Sequence, residues 1–257
     1  MEEALAGHAG DAGTRGAHAR PRRRASVLGV IGELLITAGI ITLLYVVWQL
    51  WVGDMIYGAE RNATGHELSQ TWAQEYVPPA EGSDDPLTAE PVILAEPGDG
   101  EEFGVLHVPR FGPDYAVPMA GGVTRPTTLD PIGIGHYPGT SMPGEAGNFA
   151  VAAHRTTFGA PFNRIAELRV GDAVVAETAD GWYTYRFRTL EYVTPDQVEV
   201  LLPVPQALDV PAGTQYITMT SCSPMFSMAE RIVAYGVFES FTPRSAGAPA
   251  SLTLEVA

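Results

Sequence analysis

The chain has no lysine: all fifteen of its basic residues are arginine, and five of these fall between Arg15 and Arg24. The rest of the 257 residues is therefore more acidic than the net charge of −15 suggests. An acidic surface repels a phosphate backbone, so nucleic acid is excluded as a partner. Cysteine is almost absent too. With Cys222 alone, no internal disulfide and no all-cysteine zinc site can form. The common catalytic and ligand signatures are also missing: a phosphate-binding Gly-Lys loop, H-E-x-x-H, C-x-x-C and G-x-S-x-G. No metal or cofactor is implied.

Charge is also scarce along one stretch. From Val27 to Val52 the sequence VLGVIGELLITAGIITLLYVVWQLWV carries only Glu33. A bilayer core needs about 20 apolar residues as helix, so this run is long enough to span. Trp48 and Trp51 stand near its far end, where aromatic rings favour the interface. Arg20 to Arg24 precede the run, and Asp54 and Glu60 follow it. The positive-inside tendency then predicts a single pass, with the N-terminus in the cytoplasm and the remainder outside the cell. A cleaved signal has a shorter apolar region and a small-residue cleavage site, which WQLWVGDM lacks.

Composition divides the chain further. Residues 1–26, rich in Gly, Ala and Arg without periodicity, read as a disordered cytoplasmic tail, and 27–52 as the transmembrane helix. Residues 53–100 read as an extracytoplasmic linker: Gly53 to Tyr76 has weak helical spacing, and Val77 to Gly100 is a Pro- and acid-rich spacer. From Glu101 the texture is β. Strand-like runs are predicted at Phe103–Pro109, Asn148–Arg155, Ala173–Thr178, Trp182–Leu190, Tyr216–Cys222 and Arg231–Ser240, with a hairpin across Ala179, Asp180 and Gly181. A short helix is expected near Pro161–Leu168. The domain of 101–240 is thus all-β, a sandwich or a barrel, and 241–257 reads as a frayed C-terminal tail.

Three strand ends carry chemistry. Cys222 closes TMTSC, His154 closes AAHR and Arg231 opens ERIVAYG. A thiol attacks as thiolate and needs a nearby base or cation. An imidazole can move the proton, and a guanidinium is a fixed donor for a developing oxyanion. Nucleophile, acid and oxyanion donor together describe acyl transfer. His107 and His136 also sit on loops or strand ends and remain open as alternatives.

On these residues the chain resembles the sortases, membrane-bound cysteine transpeptidases of Gram-positive bacteria. Their nucleophile lies in a T-L-x-T-C strand, and Thr218-Met219-Thr220-Ser221-Cys222 stands in that place. Ala152-Ala153-His154 stands for their A-G-H, and Arg231 for the arginine that begins the following strand. Gly135 to Phe162 looks most like class E, the housekeeping type of high-GC actinobacteria. The resemblance implies a closed β-barrel of about eight strands with short helices. It also implies that Cys222, His154 and Arg231 are catalytic and that Tyr137, Thr220 and Ser221 contact substrate. The substrates would be secreted proteins with a C-terminal sorting signal of the L-A-x-T-G or L-P-x-T-G type. These would be cut between Thr and Gly and passed to an amine of a peptidoglycan precursor. One alternative is a pilin-polymerising sortase, whose lid carries D-P-[FWY]; Asp85-Pro86-Leu87 and Asp130-Pro131-Ile132 lack the aromatic. The other is a non-catalytic surface-displayed β-domain with a structural cysteine.

Overall fold

The computed structural model describes residues 26–48, 52–77 and 89–253, which fall into two compact units, Met1–Tyr45 and Val46–Ala257. All but the last residue of the expected cytoplasmic tail over 1–26, residues 49–51 of the expected transmembrane helix, 78–88 of the expected linker and 254–257 of the expected C-terminal tail lie outside the described residues.

Helix α1 (Val27–Val47) accounts for the first unit. Its 21 residues rise about 31 Å at 1.5 Å each, close to the hydrocarbon thickness of a bilayer. Its large apolar side chains are exposed all round, as on a helix whose solvent is lipid. Among the described residues it alone is long and apolar enough to cross a membrane.

The second unit is a closed eight-stranded barrel with one long helix, α2 (Gly53–Glu75), against its side. The strands are β1 (Glu102–His107), β2 (Ala116–Gly121), β3 (Ile134–His136), β4 (Gly147–Ala153), β5 (Ala173–Glu177), β6 (Gly181–Val193), β7 (Gln215–Ser223) and β8 (Glu230–Pro243). They close in the order β1-β2-β3-β4-β7-β8-β6-β5. Pairs β2–β3 and β4–β7 are parallel and all others antiparallel. Side chains alternate across each strand, so Phe149 and Val151 of β4 and Ile217 and Met219 of β7 meet Leu106 and Tyr185 inside. Each such buried side chain contributes about 1.5–3 kcal/mol by leaving water.

The six strand-like runs all appear, β6, β7 and β8 longer than expected and β1, β4 and β5 ending one or two residues earlier, and the β5–β6 hairpin turns where Ala179–Gly181 predicts it. Two strands went unseen. β2 is buried on both faces and contains Pro118, so it shows no alternation, and β3 is three residues long. Near Pro161–Leu168 only Ile165–Glu167 forms a helical turn, of the 3-10 type.

The linker and tail need correcting. Residues 53–75, where the weak helical spacing lies, form α2, and instead of being a free linker they pack on β1 and β2. Asn62 Oδ1 accepts from the Ala116 amide at 3.1 Å, and Gly65 lies so close to β2 that an added Cβ would fall 2.1 Å from the Ala116 oxygen. Residues 89–100 also follow the barrel, where Tyr183 donates to the Val92 carbonyl and Glu96 accepts from the Gly139 amide at 2.7 Å. At the C-terminal side, β8 runs on to Pro243 and Arg244 is buried, donating to Glu177 at 2.9 Å. Leu252 packs over Ala173, Val175 and Trp182. A buried carboxylate needs cationic and hydroxyl partners, and α2 and the tail supply Ser69 and Arg244 for it.

Candidate active site

The parallel pairing of β4 with β7 builds the site. Parallel neighbours end at the same rim, and Ala152 of β4 is in register with Thr220 of β7, so the residues two further on, His154 and Cys222, leave the barrel side by side. Strand β8 runs back antiparallel from that rim, with Arg231 directly across from Cys222. Directly opposed residues place their Cβ atoms about 4.5–5.5 Å apart on one face. Cys222, His154 and Arg231 all line one cavity of about 570 Å³, together with Tyr137, Thr220, Ser221, Arg125 and Arg155.

Each group has partners. His154, 13% exposed at its side chain, meets Asp130 Oδ1 through Nε2 at 2.7 Å and stacks on Phe158 with centroids 5.3 Å apart. Arg125 Nε reaches the same Asp130 oxygen at 3.4 Å. Arg231 uses Nη1 to bond the carbonyls of Met228 at 3.2 Å and Glu230 at 3.0 Å, which holds its guanidinium at the rim. Cys222 is half-buried and free. Behind it, Arg155 reaches the Cys222 carbonyl at 3.4 Å, and burial lowers the pKa of that guanidinium.

Of the proposed substrate contacts, Tyr137 and Thr220 bond each other, hydroxyl to hydroxyl, at 2.9 Å. Burial pushes the Tyr137 phenol up, and the Cys222 charge adds to this, while Thr220 and Arg231 act in the opposite sense. The Ser221 hydroxyl donates to the Ala153 carbonyl at 2.8 Å, so it ties two strands together. His107 and His136 lie elsewhere. His107 bonds Glu177 at 2.7 Å, and His136 is fully buried, stacked on Phe149, where burial depresses its pKa. Among the described residues, no group of three His, Cys, Asp or Glu side chains could hold a metal ion.

A Sortase domain model matches residues 106–239, just over half of the chain. The chain belongs to the sortase family. Its likeness is to class E members. Sortase SrtE1 of Streptomyces coelicolor is 36% identical over 228 residues, 86% of this chain and 60% of that protein's length. Sortase SrtE2 of the same organism is 33% identical over 240 residues, 89% of each chain. A crystal structure of Sortase E1 from Streptomyces coelicolor with a tripeptide in its active site superposes with a TM-score of 0.56. It is 37% identical and covers 61% of this chain and 99% of that one. The closed barrel of about eight strands that the resemblance to sortases implies is the fold observed.

Four residues around this sortase cavity are not marked as site residues by the sequence: Arg125, Asp130, Arg155 and Phe158. In the sequence Asp130 stands out only as the start of a D-P pair without the aromatic. Asp130 reaches His154 from 24 positions away in the chain, which no local periodicity marks, whereas Arg155 and Phe158 follow His154 directly in the loop after β4, where strand alternation has ended.

Proposed function

We propose that this sortase is a membrane-anchored cysteine transpeptidase acting on C-terminal sorting signals. The observation that carries the reading is the lining of one cavity by Cys222, His154 and Arg231, with Cys222 and Arg231 in direct register. Cys222 Sγ, as thiolate, attacks the Thr carbonyl carbon of an L-A-x-T-G or L-P-x-T-G signal. Arg231 stabilises the oxyanion that forms. The Thr–Gly C–N bond breaks as the His154 imidazolium gives its proton to the departing glycine amine, leaving a Cys222 thioester. An acceptor amine then attacks that thioester, surrenders a proton to His154 and releases the thiolate. The acceptor is an amine of a peptidoglycan precursor, so the product is a protein joined to the cell wall. Tyr137 and Thr220 line the path of the bound peptide, and Ser221 holds the nucleophile strand.

The apolar run of 27–52 anchors the chain once in the membrane. The arginines before it keep the N-terminus in the cytoplasm and the barrel outside.

The purified protein should cleave an L-A-x-T-G peptide, and a chloromethyl ketone version of the signal should label Cys222. Cys222→Ala should lose both reactions; full cleavage by that variant rejects the proposal.

A further inference from the structure

Helix α2 touches the barrel along a stripe at helical spacing, and the first part of that stripe backs the cavity. Asp54, Tyr57, Gly58 and Arg61 stand at i, i+3, i+4 and i+7, the pattern of one helix face. Asp54 Oδ1 lies 3.4 Å from the Gly159 amide. Tyr57 packs on Phe158 with centroids 6.3 Å apart, and Phe158 in turn stacks on the His154 imidazole. Gly58 meets Gly159 backbone to backbone: a Cβ on Gly159 would come 2.8 Å from the Gly58 nitrogen. Arg61 runs its stem over Gly133 and donates from Nη2 to the Asp130 carbonyl. Asp130 then accepts His154 Nε2 on its side chain. The aromatic ring against the imidazole and the carboxylate at its edge are thus both held from behind by α2.

Arg61 is costly where it stands. It is 6% exposed, and its Nε and Nη1 have no hydrogen-bond partner among the described residues. A buried cation with unsatisfied donors reduces stability. Local rules are broken in this way most often where a functional geometry must be held. The far half of α2 is seated differently, through Ser69 on Glu177 at 2.7 Å and Trp72 beside Arg244 at 5.8 Å, away from the cavity residues.

We propose that the N-terminal half of α2 is a positioning element for His154, with Arg61 as its positioning residue acting through Asp130. The inference rests on the reading of His154 as the proton carrier. In the neutral ring, donation from Nε2 to Asp130 leaves Nδ1 to gain and lose the working proton. The other charged or titratable groups around the ring are Arg125 on the Asp130 carboxylate, and Arg155, Cys222, Tyr137 and Arg231 along the cavity.

The test uses the full chain in detergent, with kcat, KM, the pH profile of kcat/KM and Tm measured on each variant. Asp130→Asn, which removes the carboxylate that His154 Nε2 meets, picks out one limb of the profile by displacing it. Arg61→Ala should move the same limb the same way and lower kcat by about 100-fold, the scale of a misplaced catalytic group, with KM within about twofold. Arg61→Lys should recover part of the rate. Trp72→Ala, which loosens the far half of α2, should lower Tm and leave the limb in place. If Arg61→Ala does not fold, Arg61→Lys is read against wild type for the same limb. A wild-type pH profile in the Arg61 variant that is read, or an equal shift in Trp72→Ala, overturns the inference. An inactive wild-type chain, or an active Cys222→Ala, would instead sink the proposed function.

Discussion

The hydroxyl of Ser221 donates to the carbonyl of Ala153 across 2.8 Å, joining the residue before Cys222 to the residue before His154. The register that brings thiol and imidazole to one rim therefore ends in a side-chain bond of its own. Ser221 is 3% exposed, so Ser221→Ala leaves the Ala153 carbonyl without this donor in a dry place. The loss should be about 1 kcal/mol, or about 2–4 °C in Tm for a domain of this size. The rate of Cys222 alkylation by the signal chloromethyl ketone should fall with it. An unchanged Tm with an unchanged labelling rate would show that the bond holds nothing.

Arg231 bonds the Met228 and Glu230 carbonyls through a single nitrogen, which fixes the fork of the guanidinium over the rung it shares with Cys222. A lysine ammonium is a point donor on a flexible stem and cannot keep that orientation. Arg231→Lys should lower kcat by about 100- to 1,000-fold, the range for loss of one oxyanion donor, and change KM little. Steady-state kinetics on the signal peptide separate the two. A rise in KM with normal kcat would make Arg231 a ground-state binding residue instead.

The catalytic candidates were legible because each sits at an end of a strand whose alternation is plain, as in the Ile217–Met219–Ser221 face of β7. What brings the ends together was not. The parallel partnership of β4 with β7 is a contact between segments separated by the whole β5–β6 hairpin, and no local pattern encodes it. Pro118 hid β2, and the glycines of α2 weakened its helical signal. Yet Gly58 and Gly65 are where the helix comes closest to the barrel. Arg244, read as part of a loose tail, is buried because Glu177 needs a cation.

Tyr137 lies in the cavity with its phenol pushed up by burial and by the Cys222 charge, against the opposing Thr220 bond and Arg231 charge. A phenol held above its usual range stays neutral at the near-neutral pH of the assay. Tyr137→Phe should therefore leave both limbs of the pH–rate profile in place, although Thr220 loses its 2.9 Å partner. A displaced alkaline limb in Tyr137→Phe would assign that limb to the phenol and remove it from the Cys222–His154 pair.

Glu177, 1% exposed, collects His107 and Ser69 at 2.7 Å each and Arg244 at 2.9 Å, while Trp182 covers the guanidinium at 4.6 Å. Burial alone would raise its pKa, but the bonds from His107, Ser69 and Arg244 outweigh it and hold the carboxyl below the usual range. A carboxyl whose folded pKa is depressed stabilises the protein fully above its unfolded value, about 4.3, and loses that contribution as pH falls through the folded value. Glu177→Gln removes the charge and leaves Arg244 buried without it, a loss of about 3–5 kcal/mol at neutral pH. Thermal melts from pH 7 down to pH 3 should show a wide gap between wild type and Glu177→Gln that narrows below about pH 4, as protonation makes the wild-type side chain neutral as well. A gap of constant width across that range would mean that packing, and not the charge on Glu177, fastens α2 and the C-terminal segment to the barrel.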